Sequence, residues 1–148
     1  EGVLKAAAGI VTVDDSDYLV AKGGKVHVNE LVSFGGKKYA ADSDGKLRTG
    51  LFKFKEVYYF AQDDHTILTS AKVLKHKSHY YFNKKGGGLA RNEFVEYKDK
   101  HYYAGDDAAL LTSTFKYKGV TFNPSDKGVL PEEEYRKLYP LDDEEDDY

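Results

Sequence analysis

The chain repeats itself with a period of about 21 residues, and this period limits the folds that it can adopt. Aliphatic residues recur at intervals of 20 to 22 in a first column, which consists of Leu4, Val26, Leu47, Leu68, Leu89, Leu110 and Leu130. A second apolar column, with intervals of 20 or 21, consists of Ile10, Leu31, Phe52, Val73, Phe94, Phe115 and Tyr135. A unit of this size cannot bury a core alone, so the units must stack on one another in an array.

Each unit carries the pattern of two short strands. In the clearest unit, residues 51–55 alternate apolar and polar side chains, and Val57-Tyr58-Tyr59-Phe60 follows after a short break. Such alternation is typical of a half-buried strand, and two strands with a short connection form an antiparallel hairpin. The pattern predicts six hairpins, with strands at 11–13 and 18–20, 31–34 and 38–40, 51–55 and 57–60, 72–74 and 79–82, 94–97 and 101–103, and 115–117 and 120–122.

A polar turn connects each second strand to the first apolar column. Glycine stands two residues before that column in five of the seven units, and Thr66 and Ala108 are the exceptions. A recurrent turn glycine indicates a positive φ, which other residues adopt at a cost. We therefore expect the turns at Thr66 and Ala108 to be less regular than the others.

The repeat decays towards the C-terminus, where all three prolines lie. Residues 132–138 predict one helical turn, because Pro131 suits its first position and acidic residues are favoured at a helix N-terminus. Residues 142–147 are six consecutive acids, which is typical of a solvated tail. We predict a repeat array over 1–131 and an acidic tail over 132–148. The predicted fold class is an all-β solenoid of about six stacked hairpins with a short irregular or helical C-terminal tail.

The first residues match the middle of a unit. Gly2-Val3-Leu4 corresponds to Gly128-Val129-Leu130 of the last unit, and the chain opens on Glu1 without a signal-peptide pattern. We therefore expect the chain to be a piece of a longer array.

Composition narrows the classes of function. The chain has no Cys, which excludes disulfides and thiolate metal sites, and no run of about 18 apolar residues that would span a membrane. Residues 1–131 carry 20 basic and 16 acidic side chains, whereas residues 132–148 carry two and nine. A positive charge spread so thinly does not predict a nucleic-acid footprint.

No motif predicts catalysis or a metal site. The acidic pairs Asp63-Asp64 and Asp106-Asp107 fall in repeat turns, where Asp is favoured for backbone reasons. The sequence has no nucleophile motif and no phosphate loop. His76 and His79 lack the further ligands that zinc needs, and Asp42-Ser43-Asp44-Gly45 lacks the later ligands of a calcium loop. We predict that the segment is not an enzyme and that it takes neither a cofactor nor a metal.

One unit carries a longer motif. Residues 45–52, Gly-Lys-Leu-Arg-Thr-Gly-Leu-Phe, precede Val57-Tyr58-Tyr59-Phe60, and the aromatic part recurs in His79-Tyr80-Tyr81-Phe82 and His101-Tyr102-Tyr103. Over residues 2–131 this pattern resembles the cell-wall-binding repeats of Gram-positive surface proteins. That superfamily includes choline-binding modules, glucan-binding repeats and the C-terminal repeats of clostridial toxins. The resemblance implies a superhelix of β-hairpins with ligand sites between consecutive units, a secreted or cell-surface location and a connection with virulence.

The chain departs from the choline-binding members at their tryptophans. Those members carry Trp after Thr-Gly and again before Tyr-Tyr, and the rings form a cage for the quaternary ammonium. Here the first position holds Leu51 or Phe52. The second position holds, in successive units, Asp17, Lys38, Val57, His79, His101 and Val120. Trp is the best cation–π partner, and a Lys or protonated His in the cage repels a cation. The sequence therefore disfavours choline.

Tyrosine suits the recognition of sugars, because its flat ring packs on C–H faces and its hydroxyl bonds to sugar hydroxyls. The candidate ligand-binding residues are the aromatic side chains of the central units, Tyr39, Phe52, Tyr58, Tyr59, Phe60, Tyr80, Tyr81, Phe82, Tyr102 and Tyr103. Side chains alternate between the two faces of a strand. If Tyr59 and Tyr81 share one face, we expect Tyr58, Tyr80 and Tyr102 on the other.

The sequence predicts a non-catalytic module of a larger secreted or surface protein that binds a cell-wall or glucan-type polysaccharide. A host glycan or a protein is an alternative partner. Two other functions stay open, a structural spacer or protein-binding stalk and a choline-type teichoic acid anchor. Access of solvent to the Tyr rings separates spacer from binding module, because a spacer leaves no contiguous aromatic groove.

Overall fold

The computed structural model describes residues 8–141. Over this range the strands pair as six antiparallel hairpins, numbered 1 to 6 in chain order, and one helix follows them. The strands are β1 (Gly9–Val13), β2 (Ser16–Val20), β3 (Glu30–Phe34), β4 (Lys37–Ala41), β5 (Gly50–Phe54), β6 (Val57–Ala61), β7 (Lys72–His76), β8 (His79–Asn83), β9 (Glu93–Tyr97), β10 (Lys100–Ala104), β11 (Phe115–Tyr117) and β12 (Val120–Phe122). The predicted fold class of stacked β-hairpins is confirmed.

The described chain divides into two compact units. The first contains the residues up to Thr69 together with Gly86–Gly88, and therefore hairpins 1 to 3. The second contains Ser70–Lys85 and the chain from Leu89 onward, and therefore hairpins 4 to 6 and the helix. The predicted column residue Leu4 and the acidic run 142–147 lie outside the described residues.

Two-residue turns close the hairpins, and the first turn residue has a positive φ in all six. In hairpin 5, Lys98 and Asp99 have φ of 51° and 64°. Left-handed residues at both positions are typical of a type I′ turn, whose twist matches that of the paired strands. The first turn residues are, in order, Asp14, Gly35, Lys55, Lys77, Lys98 and Lys118.

The distance from the turn decides which face of a hairpin a residue occupies. We call the face with the first, third and fifth residue pairs from the turn the odd face, and the face with the second and fourth pairs the even face. In hairpin 5 the third pair, Val95 and Tyr102, lies on the odd face. The fourth pair, Phe94 and Tyr103, lies on the even face.

Within each compact unit, the even face of one hairpin packs against the odd face of the next. In the first unit, Ala40 of hairpin 2 lies in one buried cluster with Phe52 and Ala61 of hairpin 3. In the second unit, Phe82 of hairpin 4 is buried with Tyr102 of hairpin 5. Burial of one such ring contributes about 1.5–3 kcal/mol. The core of each unit therefore lies between successive hairpins, as the repeat length requires.

Residues of the first apolar column follow the hairpins, and those after hairpins 2, 3, 5 and 6 bond to the hairpin before. Leu47 forms a β-bridge with Ala41, and its amide donates to the carbonyl of Asp17 in the preceding hairpin over 2.8 Å. After hairpin 3 the equivalent residue is Ile67, which forms a β-bridge with Ala61. The sequence had predicted Leu68 for this position. The hairpin turns are 20 to 22 residues apart, so a column drawn at a constant interval loses register there.

The turns at Thr66 and Ala108 repeat the geometry of the turn at Gly45, so the expectation that they are less regular is wrong. With Ile67 as the column residue, the left-handed position falls on His65, with φ of 75°, and Ala108 has φ of 73°. The amide of His65 donates to the carbonyl of Gln62 over 2.8 Å, and the amide of Gly45 donates to the carbonyl of Asp42 over 2.9 Å. The same hydrogen bonds close each turn. The left-handed backbone costs about 1 kcal/mol where the residue is not glycine.

Residues of the second apolar column lie on different faces of their hairpins. Its members in hairpins 1, 2, 4 and 5 stand four residues before the turn and lie on the even face. Phe52 and Phe115 stand three residues before the turn and lie on the odd face. A one-residue difference reverses the direction of a side chain in a strand. The column therefore predicts apolar positions but not the face that each occupies.

The helix α1 spans Glu132–Leu138, which confirms the predicted helical turn. Pro131 is the N-cap, with φ of −61° and ψ of 136°, and is not the first helical residue. Three glutamates lie in the first turn and Arg136 and Lys137 in the last, an arrangement that complements the helix dipole.

Candidate functional site

Half of the predicted ligand-binding rings lie in the core. The exposed fraction is between 6% and 8% for five of them, Tyr39, Phe52, Tyr81, Phe82 and Tyr102. Burial raises the pKa of Tyr81 and of Tyr102. Because these rings fill the space within each unit, their contribution is to packing.

The register places Tyr102 on a different face from the one expected. Tyr59, Tyr81 and Tyr102 are each the third residue after the turn and lie on the odd face. Tyr58 and Tyr80 are second after the turn, on the even face. In hairpin 5 the second position holds a histidine, because the Tyr-Tyr dipeptide starts one residue later relative to the turn.

The other five candidates, Tyr58, Tyr59, Phe60, Tyr80 and Tyr103, are half-buried. Tyr59 stacks on Phe52 with ring centres 5.6 Å apart and therefore also supports the core. Tyr58 and Tyr80 each lie directly across the hairpin from a lysine at the same register position. Tyr80 also packs against the buried cluster that contains Phe82 and Tyr102.

We call these two combinations the lysine–tyrosine pairs: Lys53 with Tyr58 in hairpin 3, and Lys75 with Tyr80 in hairpin 4. The Nζ atom of Lys53 lies 5.4 Å from the centre of the Tyr58 ring, and that of Lys75 lies 5.6 Å from Tyr80. A cation over an exposed ring contributes about 0.5–1 kcal/mol. Each pair places a phenol ring and an ammonium group side by side.

The structure also contains an aromatic cluster that the sequence did not predict. The ring of Phe94 lies at its centre, and its members are Phe94, Tyr103, Phe115, Tyr117, Phe122, Tyr135 and Tyr139. Phe94 meets Tyr103 and Tyr117 edge-on, with ring centres 4.7 and 5.1 Å apart. The second apolar column continues to Tyr135, beyond the last hairpin. This continuation was the one sequence feature that indicated packing of the helix on the hairpins.

The helix joins this cluster through Tyr135. Its ring stacks on His101 with centres 3.7 Å apart and planes 15° from parallel. Burial raises the pKa of Tyr135 and of Tyr103. The helix therefore covers part of the even face of hairpin 5, and the cluster is an element of packing.

A histidine and a carboxylate join hairpin 1 to the turn after hairpin 3 in the first unit. His65 Nε2 lies 2.9 Å from Asp17 Oδ2, and its Nδ1 lies 3.2 Å from the carbonyl oxygen of Arg48. The hydroxyl of Thr12 also donates to Asp17. The hydrogen bond from Thr12, followed by that from His65, lowers the pKa of Asp17. This connection explains how His65 is held at its positive φ.

Two further features bear on the classes of function. Among residues 8–141, no group of three or more His, Asp or Glu side chains is arranged to hold a metal ion. In the same part of the chain, no helix has the length and apolar character needed to cross a membrane.

Comparison with known proteins identifies the fold. No protein-family model matches the chain, and no curated protein matches its sequence. The solved structure of CbpJ from Streptococcus pneumoniae TIGR4 is similar, with a TM-score of 0.70 and 19% identity over 84% of this chain and 42% of that one. Choline binding protein F from Streptococcus pneumoniae, solved with a peptidoglycan analogue, has a TM-score of 0.68 and 18% identity over 84% and 41%.

The modular Cpl-1 endolysin, complexed with a peptidoglycan analogue, is also similar, with a TM-score of 0.50 and 17% identity over 73% of this chain and 32% of that one. The resemblance to cell-wall-binding repeats is therefore confirmed at the level of the fold. The chain spans about two fifths of the length of the first two structures.

Proposed function

We propose that this chain is a non-catalytic module that attaches a larger secreted or surface protein to a cell-wall polysaccharide. The observation that carries the proposal is the lysine–tyrosine pair, which occupies the same register position in hairpins 3 and 4. The fold adds support, because two proteins that share it, choline binding protein F and the Cpl-1 endolysin, were solved with peptidoglycan analogues.

Each pair has the groups that a sugar needs. The ring of Tyr80 packs on the C–H face of a pyranose, and its hydroxyl and the Lys75 ammonium hydrogen-bond to sugar oxygens. One exposed pair binds weakly. Equivalent pairs engage several units of a repetitive polymer together, and linked weak contacts multiply into avidity.

The lysine–tyrosine pairs favour a polysaccharide over choline. A quaternary ammonium binds to aromatic ring faces. In both pairs a lysine Nζ lies within 5.6 Å of the ring centre, so an incoming cation meets a like charge. The spacer hypothesis draws on a different observation, the burial of five of the ten predicted rings.

Sedimentation with insoluble polymers tests the proposal. The chain is mixed with peptidoglycan sacculi that retain their wall polymers and with an insoluble α-glucan, and the bound fraction is measured. We expect saturable binding to the sacculi. The double variant Tyr58→Ala/Tyr80→Ala is expected to bind about tenfold more weakly, which corresponds to about 1.4 kcal/mol.

Two controls make the result specific. Tyr18→Ala removes a half-buried tyrosine of hairpin 1 and is expected to leave binding unchanged. Tyr58→Phe/Tyr80→Phe keeps the rings and separates stacking from hydrogen bonding. Absence of binding to every polymer and to a glycan array contradicts the proposal and leaves the spacer. Tyr102→Ala is unsuitable as a test, because that ring is 6% exposed and its loss opens the core.

A further inference from the structure

Lysine is concentrated at the closed ends of hairpins 2 to 6. We define a tip as the two turn residues and the two residues on either side, which gives the ranges 33–38, 53–58, 75–80, 96–101 and 116–121. Each tip contains two lysines, and all ten are exposed. The five tips contain three acidic residues, whereas the rest of the described chain contains 11 basic and 15 acidic ones. The excess positive charge of residues 8–141 is therefore confined to the tips.

Four of these lysines occupy a conformation that disfavours them. Lys55, Lys77, Lys98 and Lys118 are first turn residues with φ between 48° and 58°. Gly35 holds the same position in hairpin 2, where it has φ of 62°. A side chain in the left-handed region costs about 1 kcal/mol or more relative to glycine. A repeated lysine at a strained position indicates a role for the charge that is separate from folding.

The tip lysines are held beside aromatic rings. Five of them, Lys53, Lys55, Lys75, Lys98 and Lys118, have Nζ atoms 5.4–5.6 Å from a ring centre. Lys53 also lies 3.5 Å from Glu56. Lys38 Nζ donates to the carbonyl oxygen of Gly86 over 3.3 Å, and the charge of Lys37 contributes to lowering the pKa of Asp64. Most of the tip charge is therefore available to a partner.

We infer that the tips bind a wall polymer that carries a phosphodiester in each repeating unit. This inference rests on the proposed function and names the class of its ligand. An ammonium group is a compact charge that matches phosphate oxygens, and the ring beside it packs on the adjoining sugar or polyol. A polymer with one negative charge in each repeating unit can pair a phosphate with the lysines of any tip that it contacts. A neutral glucan gains no electrostatic attraction from them.

The experiment compares intact sacculi with sacculi from which hydrofluoric acid has removed the phosphodiester-linked polymers. We expect the chain to bind the intact sacculi and to bind the extracted ones at least tenfold more weakly. We also expect binding to the intact sacculi to fall as salt is raised from about 50 to 500 mM, because exposed charges are screened.

The matched variants remove equal charge from different places. Lys55→Gly/Lys77→Gly/Lys98→Gly removes three tip charges and relieves three strained φ angles, so its melting temperature is expected to stay equal or rise. Its binding to intact sacculi is expected to fall at least about fivefold, since exposed ion pairs are individually weak and three are lost. The control Lys22→Gln/Lys25→Gln/Lys127→Gln removes three exposed charges outside the tips and is expected to change binding less than twofold.

The outcomes separate the inference from the proposed function. Equal binding to intact and extracted sacculi, still weakened by Tyr58→Ala/Tyr80→Ala, overturns the phosphodiester ligand and keeps the polysaccharide module. Binding to neither preparation overturns both. Equal losses in the tip variant and in the control overturn the role of the tips. Binding to duplex DNA as tight as to intact sacculi, at the same salt concentration, overturns the wall polymer as the ligand.

Discussion

Individual side chains divide into those that hold the hairpins together and those that face solvent, and residue type does not reveal which is which. Tyr80 and Tyr81 are neighbours in sequence, yet Tyr81 is buried and Tyr80 is half-exposed beside Lys75. Phe122 is 0% exposed, and its ring centre lies 5.1 Å from that of Phe115. Position relative to the turn, and not aromatic character, therefore decides how deeply each of these two tyrosines is buried.

Replacement of Phe122 tests this division. Phe122→Ala is expected to lower the free energy of unfolding by about 3–5 kcal/mol, because a fully buried ring leaves a cavity. Val57→Ala removes a side chain that is 39% exposed and is expected to cost less than about 1 kcal/mol. Urea titration followed by circular dichroism measures both variants, and similar losses would contradict the assignment of Phe122 to the core.

The hydrogen bonds of Asp17 predict that the folded state loses stability at acidic pH. The pKa of Asp17 is lowered from its ordinary value of 3.8, chiefly by the hydrogen bond from Thr12. A carboxylate with a lowered pKa stabilises the fold above its unfolded pKa, and this stability is lost as pH falls through the folded value. We expect the melting temperature to decline below about pH 4 for this reason.

The variant Asp17→Asn isolates that contribution. It is expected to melt at a lower temperature than the wild type near neutral pH, and the difference is expected to shrink as pH falls below about 4. Melting curves at a series of pH values measure it, with Asp15→Asn, an exposed aspartate of the same hairpin, as the control. A difference that is independent of pH would show that the carboxylate of Asp17 does not act through its charge.

Three of the turns that connect the hairpins are alike although their sequences differ. Glycine, histidine and alanine all occupy the same left-handed position, with φ of 86° at Gly45, 75° at His65 and 73° at Ala108. The same pair of backbone hydrogen bonds closes these turns. The turn therefore forms with or without glycine at this position, and glycine makes it less strained.

Two glycine substitutions distinguish backbone strain from steric contact. At Gly86, with φ of 91°, an added Cβ meets no atom within 4 Å, so Gly86→Ala is expected to cost about 1 kcal/mol. At Gly45, with φ of 86°, the added Cβ lies 2.9 Å from Cγ1 of Val26, so Gly45→Ala is expected to cost about 2 kcal/mol or more. Chemical unfolding of both variants gives the comparison, and equal costs would show that Val26 moves freely.

Considered as a whole, the molecule shares its fold with choline binding protein F, and its aromatic residues lead us to expect that choline is not its ligand. It has no Trp, and lysine ammonium groups lie over the rings of Tyr58 and Tyr80. We expect millimolar choline to leave the melting temperature unchanged. A ligand that binds the folded state at 100 times its Kd would add about 2.7 kcal/mol of stability. A clear rise in differential scanning fluorimetry would restore the choline anchor.

The sequence predicted the architecture better than the register. Alternating strands, short turns and Pro131 indicated six hairpins and a helical segment, because these are local properties. The column residue after hairpin 3 is Ile67 and not Leu68, because the spacing of the hairpin turns varies from 20 to 22 residues. The cluster around Phe94 depends on contacts between hairpins and the helix. No local pattern distinguishes such contacts from exposure.

The bond between each column residue and the preceding hairpin bears on how the chain folds as it is made. The amides of Leu47, Ile67, Leu110 and Leu130 donate to carbonyls 29 or 30 residues earlier, each over 2.8 Å. Every hairpin in this set is thus fixed once about 30 more residues have emerged from the ribosome. None of these bonds joins one end of the chain to the other, so none of them requires the whole chain. An array built in this way can be lengthened without waiting for its far end, since each step needs only the next stretch of polypeptide.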